Sequence, residues 1–133
     1  MHSGGGPREG AGRRVLVIDD EEPILNLLRE HLVKCGYEVK VAVRGEAGLN
    51  ELKQNPFDVT FCDWKMPGLN GRQVYETLRH TNPRLCRRMI FITGDVINEP
   101  MRQFLETEKL PCLTKPFALP ELRAAIQTVL ETK

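Results

Sequence analysis

Four of the five short apolar runs in this chain end in a polar side chain, and this arrangement constrains the fold most. Asp19 and Asp20 follow the first run, and Asp63, Thr93 and Lys115 each follow a later one. If the runs are parallel strands, these side chains meet at one edge of a sheet, where open α/β sheets bind their ligands. Carboxylates, a hydroxyl and an ammonium gathered there suit a divalent cation and a phosphoryl group.

Strand-like segments alternate with segments of helical period, which predicts repeated βα units and a parallel sheet. Between the strands, apolar residues recur at helical spacing, and Pro or Asn marks several helix starts. The strands are predicted at 14–18, 37–42, 57–62, 89–93 and 110–114, and the helices at about 23–35, 45–54, 71–80, 98–105 and 119–130. The predicted fold is a single-domain (βα)5 doubly wound parallel sheet.

The second strand differs from the others because it ends at Ala42 without a polar signature. In the flavodoxin-like strand order 2-1-3-4-5, that strand lies at an edge, and the order reverses between strands one and three. This order would place Asp20 and Asp63 on opposite sides of the crevice at the reversal. We therefore predict that order.

Composition limits the classes of function. A length of 133 residues, with 41% hydrophobic and 28% charged, fits one domain. A net charge of +1 is too small to attract the chain electrostatically to nucleic acid or to an anionic membrane, and we expect it to bind neither. No apolar run approaches the roughly 20 residues of a spanning helix, so we expect a cytoplasmic protein. The glycine-rich residues 1–12 are predicted to be a disordered linker or tail, and the domain to cover 13–133.

Four segments, VLVIDDEEP, FCDWKMPGLNG, FITGD and LTKPF, resemble in order the motifs of the receiver domain of two-component response regulators. The resemblance covers residues 13–131. It implies that Asp63 is the phosphoacceptor and that Asp20 and Asp63, with Asp19 through water, are carboxylate ligands of Mg²⁺. The backbone carbonyl of Lys65 would be a further metal ligand.

The same resemblance assigns two more residues and the partners. Thr93 would be the hydroxyl that moves toward the phosphoryl group, and Lys115 would be the ion-pair partner of that group, with a cis Lys115–Pro116 bond. The chain would receive the phosphoryl group from a histidine kinase or a histidine phosphotransfer domain and act on an unknown downstream protein. It would form at most a weak homodimer. It would not be an enzyme beyond self-phosphorylation from small donors and autodephosphorylation.

The segment from Thr93 to Phe117 is similar to receivers at the C-terminus of hybrid sensor histidine kinases. The glycine-rich lead-in fits such an origin, because a receiver in a hybrid kinase follows a linker. We therefore expect a fragment of a hybrid kinase rather than a stand-alone receiver.

Two other classes of function compete with a phosphorylated switch. A degenerate receiver would act as a phosphorylation-independent interaction module, but it would usually lack one of the acidic, Thr or Lys residues. A hydrolase of the haloacid dehalogenase type also uses a nucleophilic Asp at a strand end. Such an enzyme needs a second Asp two positions later, where this chain has Lys65.

Lys65 and Asp95 stand two residues beyond Asp63 and Thr93, respectively. In the family these positions flank the path of the hydrolytic water. We predict that the two opposite charges pair across the site and obstruct that water. The alternative is two solvated loop charges, which contribute about 0 to 1 kcal/mol together.

Overall fold

The sheet has the predicted topology. A computed structural model describes residues 9–131 of the chain. Its five strands are all parallel and lie in the order β2-β1-β3-β4-β5, which confirms the predicted fold class and strand order. The strands are β1 (Arg14–Ile18), β2 (Glu38–Ala42), β3 (Val59–Asp63), β4 (Met89–Thr93) and β5 (Cys112–Thr114).

Helices connect the strands, and one of them was not predicted. They are α1 (Glu22–Lys34), α2 (Gly45–Gln54), α3 (Gly71–Thr81), α4 (Pro83–Cys86), α5 (Glu99–Glu108) and α6 (Leu119–Leu130). The additional element, α4, is a single turn capped by Asn82, whose side chain accepts a hydrogen bond from the Leu85 N–H at 3.2 Å. It is too short to show a helical period, so the sequence pattern could not reveal it.

The sheet is covered on both faces, which explains why its central strands are mostly apolar. All residues of β3 and β4 are buried. One face packs against α1 and α6 through residues such as Leu28 and Leu122. The other packs against α2, α3 and α5 through residues such as Leu52, Val74 and Phe104. The carboxyl ends of the strands are left free to carry polar groups. None of the helices within residues 9–131 has the length and apolar character needed to cross a membrane.

The predicted linker over 1–12 needs correction at its C-terminal end. Gly10 is buried, and its N–H donates to the Cys35 carbonyl at 2.7 Å. The Gly12 N–H donates to the Gly36 carbonyl at 3.0 Å, and the Glu9 carboxylate lies 2.6 Å from the Arg123 guanidinium. The packed chain therefore includes Glu9 to Gly12, where composition alone indicated a tail. The remainder of the predicted linker, residues 1–8, lies outside the described residues.

Gly71, the first residue of α3, lies against the backbone of the predicted phosphoacceptor. A Cβ at this position would come within 2.8 Å of the Asp63 carbonyl oxygen and 3.0 Å of the Trp64 Cα. Both atoms belong to the backbone, so they cannot move aside as a flexible side chain could. The small residue lets α3 begin directly beneath the end of β3.

We expect Gly71→Ala to lower the free energy of unfolding by about 1 to 3 kcal/mol, the usual effect of overpacking a dense interior. Gly94→Ala is the matched control, because its Cβ would only reach ordinary contact with Lys115 Cδ at 3.7 Å. Urea denaturation of the two variants and the wild type measures the difference. Equal stability of the two variants would contradict the close approach at Gly71.

Candidate functional site

The carboxylates predicted to converge lie together at the carboxyl edge of the sheet. One oxygen from each of Asp19, Asp20 and Asp63 lies within 4.8 Å of the other two. Asp19 and Asp63 are buried, and Asp20 is exposed. They come together because β1 and β3 are neighbours, with Ile18 opposite Cys62 in the register. The crevice between these strands is therefore an acidic pocket.

Lys115 reaches into this pocket from the end of β5. Its ammonium lies 3.4 Å from Asp19 Oδ2 and 3.7 Å from Asp63 Oδ2, and only 14% of the side chain is exposed. The peptide bond between Lys115 and Pro116 is cis, as the resemblance implied. One ammonium thus partly neutralises two buried carboxylates.

Glu21 is a member of the site that the sequence analysis did not single out. Its carboxylate accepts a hydrogen bond from the Lys115 ammonium, and its own N–H donates to Asp19 Oδ1 at 2.9 Å. The available signal was its place directly after Asp19 and Asp20, just before α1 begins. In this structure Lys115 therefore bridges three carboxylates.

Burial disfavours the charged forms of the two buried carboxylates, and at Asp63 repulsion by Asp19 adds to this effect. Desolvation, followed by the charge of Asp19, raises the pKa of Asp63 to about 7, although Lys115 acts in the opposite direction. Desolvation also raises the pKa of Asp19, against the opposing effect of its hydrogen bond from Glu21 N–H and the charge of Lys115. The pocket consequently holds more negative charge than Lys115 alone compensates.

The Lys115 ammonium itself remains protonated. Burial lowers its pKa, but the hydrogen bond to Glu21 and the charges of Asp63 and Asp19 act the other way, and the net pKa is raised above the ordinary value for lysine. A fixed positive charge therefore lies at the mouth of the crevice.

Thr93 and Asp95 form the β4 side of the site. Thr93 is buried, and its hydroxyl accepts a hydrogen bond from the Asp95 N–H at 3.2 Å. The Asp95 carboxylate lies 3.4 Å from the Lys65 ammonium, with 64% and 82% of these side chains exposed. The predicted pairing of Lys65 with Asp95 is therefore present, as a solvent-exposed contact between the loops after β3 and β4.

Trp64 connects the site with the core. It follows Asp63 directly, and its ring lies 5.0 Å from the ring of Phe91 and 5.5 Å from that of Phe104. The side chain is only partly buried. As the single tryptophan of the chain, it gives the site an intrinsic fluorescent reporter.

The donor set of the pocket fits Mg²⁺. All three groups offer carboxylate oxygens, the ligands that this hard cation prefers, and Mg²⁺ needs only one or two of them because it keeps several waters. Asp19 Oδ2 is buried and has no hydrogen-bond partner within residues 9–131, apart from the ion pair with Lys115. A dication would relieve the repulsion that raises the pKa of Asp63. The role of the Lys65 carbonyl as a further ligand remains a prediction.

The response regulator receiver domain model matches residues 15–127. This match covers most of the chain and includes every residue of the acidic pocket. The chain therefore belongs to the response regulator receiver domain family, and it is a receiver domain of two-component systems.

Curated relatives include both transcriptional regulatory proteins and sensor proteins. The chain is 30% identical over 117 residues to the transcriptional regulatory protein RprY of Bacteroides fragilis. This alignment covers 88% of the chain and 49% of RprY. It is 34% identical over 115 residues to the virulence sensor protein BvgS of Bordetella bronchiseptica, covering 83% of the chain and 9% of BvgS. The chain thus spans about half, or much less, of the length of these relatives.

Solved structures agree with the fold. A receiver domain protein from Clostridium thermocellum superposes with a TM-score of 0.80 at 28% identity, covering 89% of this chain and 94% of that one. The response regulator TrrA from Thermotoga maritima was solved in complex with Mg²⁺ and BeF. It superposes with a TM-score of 0.76 at 29% identity, and the match covers 89% of this chain and 99% of TrrA. Receiver domains bind Mg²⁺ at an acidic pocket, and this chain has such a pocket in Asp19, Asp20 and Asp63.

Proposed function

We propose that the chain is a phosphoacceptor switch that takes a phosphoryl group from a phosphohistidine onto Asp63 in a Mg²⁺-dependent reaction. The observation that carries this proposal is the position of Asp63, a buried carboxylate at the end of β3 between two further carboxylates and the Lys115 ammonium. Carboxylates act as nucleophiles in forming aspartyl phosphates.

In the proposed step, a carboxylate oxygen of Asp63 attacks the phosphorus of the donor phosphohistidine. A new O–P bond forms as the N–P bond breaks, and the leaving imidazole nitrogen takes the electron pair and then a proton. Protein groups contribute chiefly position and charge in phosphoryl transfer. Mg²⁺, held by Asp20, Asp63 and the Lys65 carbonyl, with Asp19 through water, would supply charge neutralisation for the phosphoryl oxygens.

Two residues besides Asp63 have separate roles in this proposal. Lys115 exchanges its contacts with Asp63 and Glu21 for the phosphoryl oxygens, which need a positive charge. The Thr93 hydroxyl moves toward the same group and gives up its hydrogen bond with Asp95 N–H, so the loop after β4 changes conformation. Ordering or reordering of a loop by a phosphoryl group is a known form of switching.

The partners follow from the same chemistry. We propose a histidine kinase or a histidine phosphotransfer domain as donor, a downstream protein as recipient of the signal, and a cytoplasmic location. Similarity to the virulence sensor protein BvgS supports an origin in a hybrid sensor histidine kinase. The similarity to RprY keeps a response regulator as the alternative origin.

A phosphorylation-independent interaction module is the second candidate function. The presence of Asp19, Asp20, Asp63, Thr93 and Lys115 at one edge of the sheet argues against it, because a module of that kind has no need of carboxylates and an ammonium gathered there. An Asp-nucleophile phosphohydrolase is less well supported, because Lys65 occupies the place of its second Asp.

Incubation with a small phosphodonor, such as acetyl phosphate or phosphoramidate, tests the proposal. Intact-mass spectrometry should show the addition of one phosphoryl group in the presence of Mg²⁺ and a strongly reduced yield when the metal is chelated. The absence of any adduct with both donors, from a protein that is folded by circular dichroism, would favour the interaction module.

The pair formed by Lys65 and Asp95 should lengthen the lifetime of the phosphoryl group. We expect Lys65→Ala and Asp95→Ala each to shorten the half-life by up to about fivefold, since exposed ion pairs contribute about 0 to 1 kcal/mol. The double variant should decay no faster than the faster single variant if the pair acts as one barrier to water. Loss of the adduct after removal of the donor, followed by intact mass, measures the half-life. Unchanged half-lives, with Lys34→Ala as the surface control, would show that the pairing has no such role.

A further inference from the structure

The edge of the sheet opposite the acidic pocket carries a cluster of arginines. Arg14 begins β1, and Arg88 directly precedes β4. Strands of five residues span about 16 Å, so this edge is well separated from Asp63. We call this cluster the arginine edge; its members are Arg13, Arg14, Arg84, Arg87 and Arg88. Within residues 9–131, no carboxylate forms an ion pair with any of these five guanidinium groups.

The short helix α4 holds three of these arginines in place. Leu85 and Cys86 are buried, so the turn that carries Arg84 is anchored in the core. The Arg88 N–H donates to the Leu85 carbonyl at 2.9 Å, and the Arg88 carbonyl accepts from the Thr60 N–H of β3 at 3.1 Å. The fold therefore fixes the backbone that carries Arg84 and Arg88, unlike the backbone of a free loop.

A groove of about 240 Å³ lies beside α4, and its walls combine positive charge with apolar surface. Phe57 lies under the Arg14 guanidinium, which stands 5.1 Å from the centre of the ring. The lining carboxylate, Asp58, already accepts a hydrogen bond from the Arg14 N–H at 2.8 Å. The lining residues are Asn55, Pro56, Phe57, Asp58, Asn82, Arg84, Leu85 and Arg88.

We infer that the arginine edge and this groove form a docking site for an acidic segment of a partner protein, a segment in which carboxylates flank an aliphatic side chain. Carboxylates would pair with Arg84, Arg87 and Arg88, because the guanidinium offers two parallel donors that match a carboxylate. The aliphatic side chain would pack against Phe57 and Leu85 in the groove. This surface is separate from the acidic pocket, and the inference does not depend on the proposed phosphoacceptor function.

A protein segment fits this surface better than nucleic acid does. The net charge of the chain is only +1, and the opposite edge carries the carboxylate cluster, so a long polyanion would meet repulsion beyond the arginine edge. The groove has room for a side chain and has an apolar floor. Charge complementarity at this one edge therefore selects a short acidic segment.

The test uses a fluorescein-labelled peptide rich in glutamate and aspartate with interspersed leucines, titrated with the wild-type protein and followed by fluorescence polarisation. The double variant Arg84→Glu/Arg87→Glu should bind at least about tenfold more weakly, because attraction becomes repulsion at two positions. Arg29→Glu/Arg102→Glu, with the same change in charge on exposed helix faces elsewhere, should lose less than about twofold. Asp63→Asn should bind the acidic peptide as tightly as the wild type does. A failure of the docking inference can therefore be distinguished from a failure of the phosphoacceptor proposal.

Three further measurements locate the site and test its selectivity: amide NMR shifts, an uncharged peptide and a DNA oligonucleotide. Amide NMR shifts induced in the wild-type protein by the peptide should concentrate at 55–58 and 82–88. A peptide with amides in place of the carboxylates should bind at least about tenfold more weakly. Shifts confined to other surfaces, equal affinity for the amide peptide, or equally tight binding of a DNA oligonucleotide of matched charge would overturn the inference.

Discussion

Replacing Asp63 with asparagine should abolish phosphorylation of the chain. The variant keeps the size and nearly the shape of the side chain, so the packing at the end of β3 should persist, but the amide oxygen is a far weaker nucleophile than a carboxylate. Asp19 is also buried, but one of its oxygens accepts the Glu21 N–H and the other lies closer to the Lys115 ammonium, at 3.4 Å against 3.7 Å for Asp63, which favours Asp63 as the acceptor. Intact mass after incubation with acetyl phosphate and Mg²⁺ measures the result.

Asp58→Asn is the control for this variant. Asp58 lies just before β3, at the opposite edge of the sheet, and one of its oxygens accepts a hydrogen bond from the Arg14 N–H. We expect its yield of adduct to match the wild type. An undiminished adduct in Asp63→Asn, or an equal loss in both variants, would contradict the assignment of Asp63.

Removing the charge of Lys115 should strengthen Mg²⁺ binding and weaken the conformational response to a phosphoryl mimic. In Lys115→Met we expect Mg²⁺ to bind about threefold to tenfold more tightly, because an ammonium 3.4 and 3.7 Å from Asp19 and Asp63 no longer repels the dication. The same variant should lose most of the conformational response to beryllofluoride, since the proposed partner of the phosphoryl group is missing. The two effects have opposite signs, which a general loss of structure would not produce.

Fluorescence of Trp64 provides the measurement of Mg²⁺ affinity, because this residue adjoins Asp63. Asp20→Ala should weaken the metal response, and amide NMR shifts with and without beryllofluoride report the switch. Lys34→Met is the control, since it removes the same charge from a side chain that is 76% exposed and pairs with Glu30 on α1. Weaker Mg²⁺ binding in Lys115→Met, or a full beryllofluoride response, would contradict the role given to Lys115.

The fold could be predicted because each strand carries its own signal. Buried strands with a polar residue at the carboxyl end define the sheet, and the missing polar residue after Ala42 identified the edge strand correctly. The boundaries of α2 were also predicted, although its helical period is weak, because Gly45 to Gln54 lies between two strands with clear signals. These features depend on local pattern, which the sequence displays directly.

The parts that sequence reasoning missed depend on contacts between distant segments. Glu21 joins the site through Lys115, 94 positions away in the chain, and no local pattern indicates such a contact. The turn α4 depends on the Asn82 cap and on burial of Leu85 and Cys86. Packing of Gly10 against Cys35 depends on the close approach of two backbones, which a glycine-rich composition conceals.

Transfer from a phosphohistidine donor tests the central claim most directly. A histidine phosphotransfer domain, phosphorylated beforehand and freed of its kinase and nucleotide, is mixed with the chain and Mg²⁺, and both proteins are followed by intact mass. The account predicts that one phosphoryl group leaves the donor and appears on the wild-type chain, that tandem mass spectrometry locates it on Asp63, and that Asp63→Asn receives none. A donor that loses its phosphoryl group no faster with the wild-type chain than with Asp63→Asn, across several donor domains, would contradict the account.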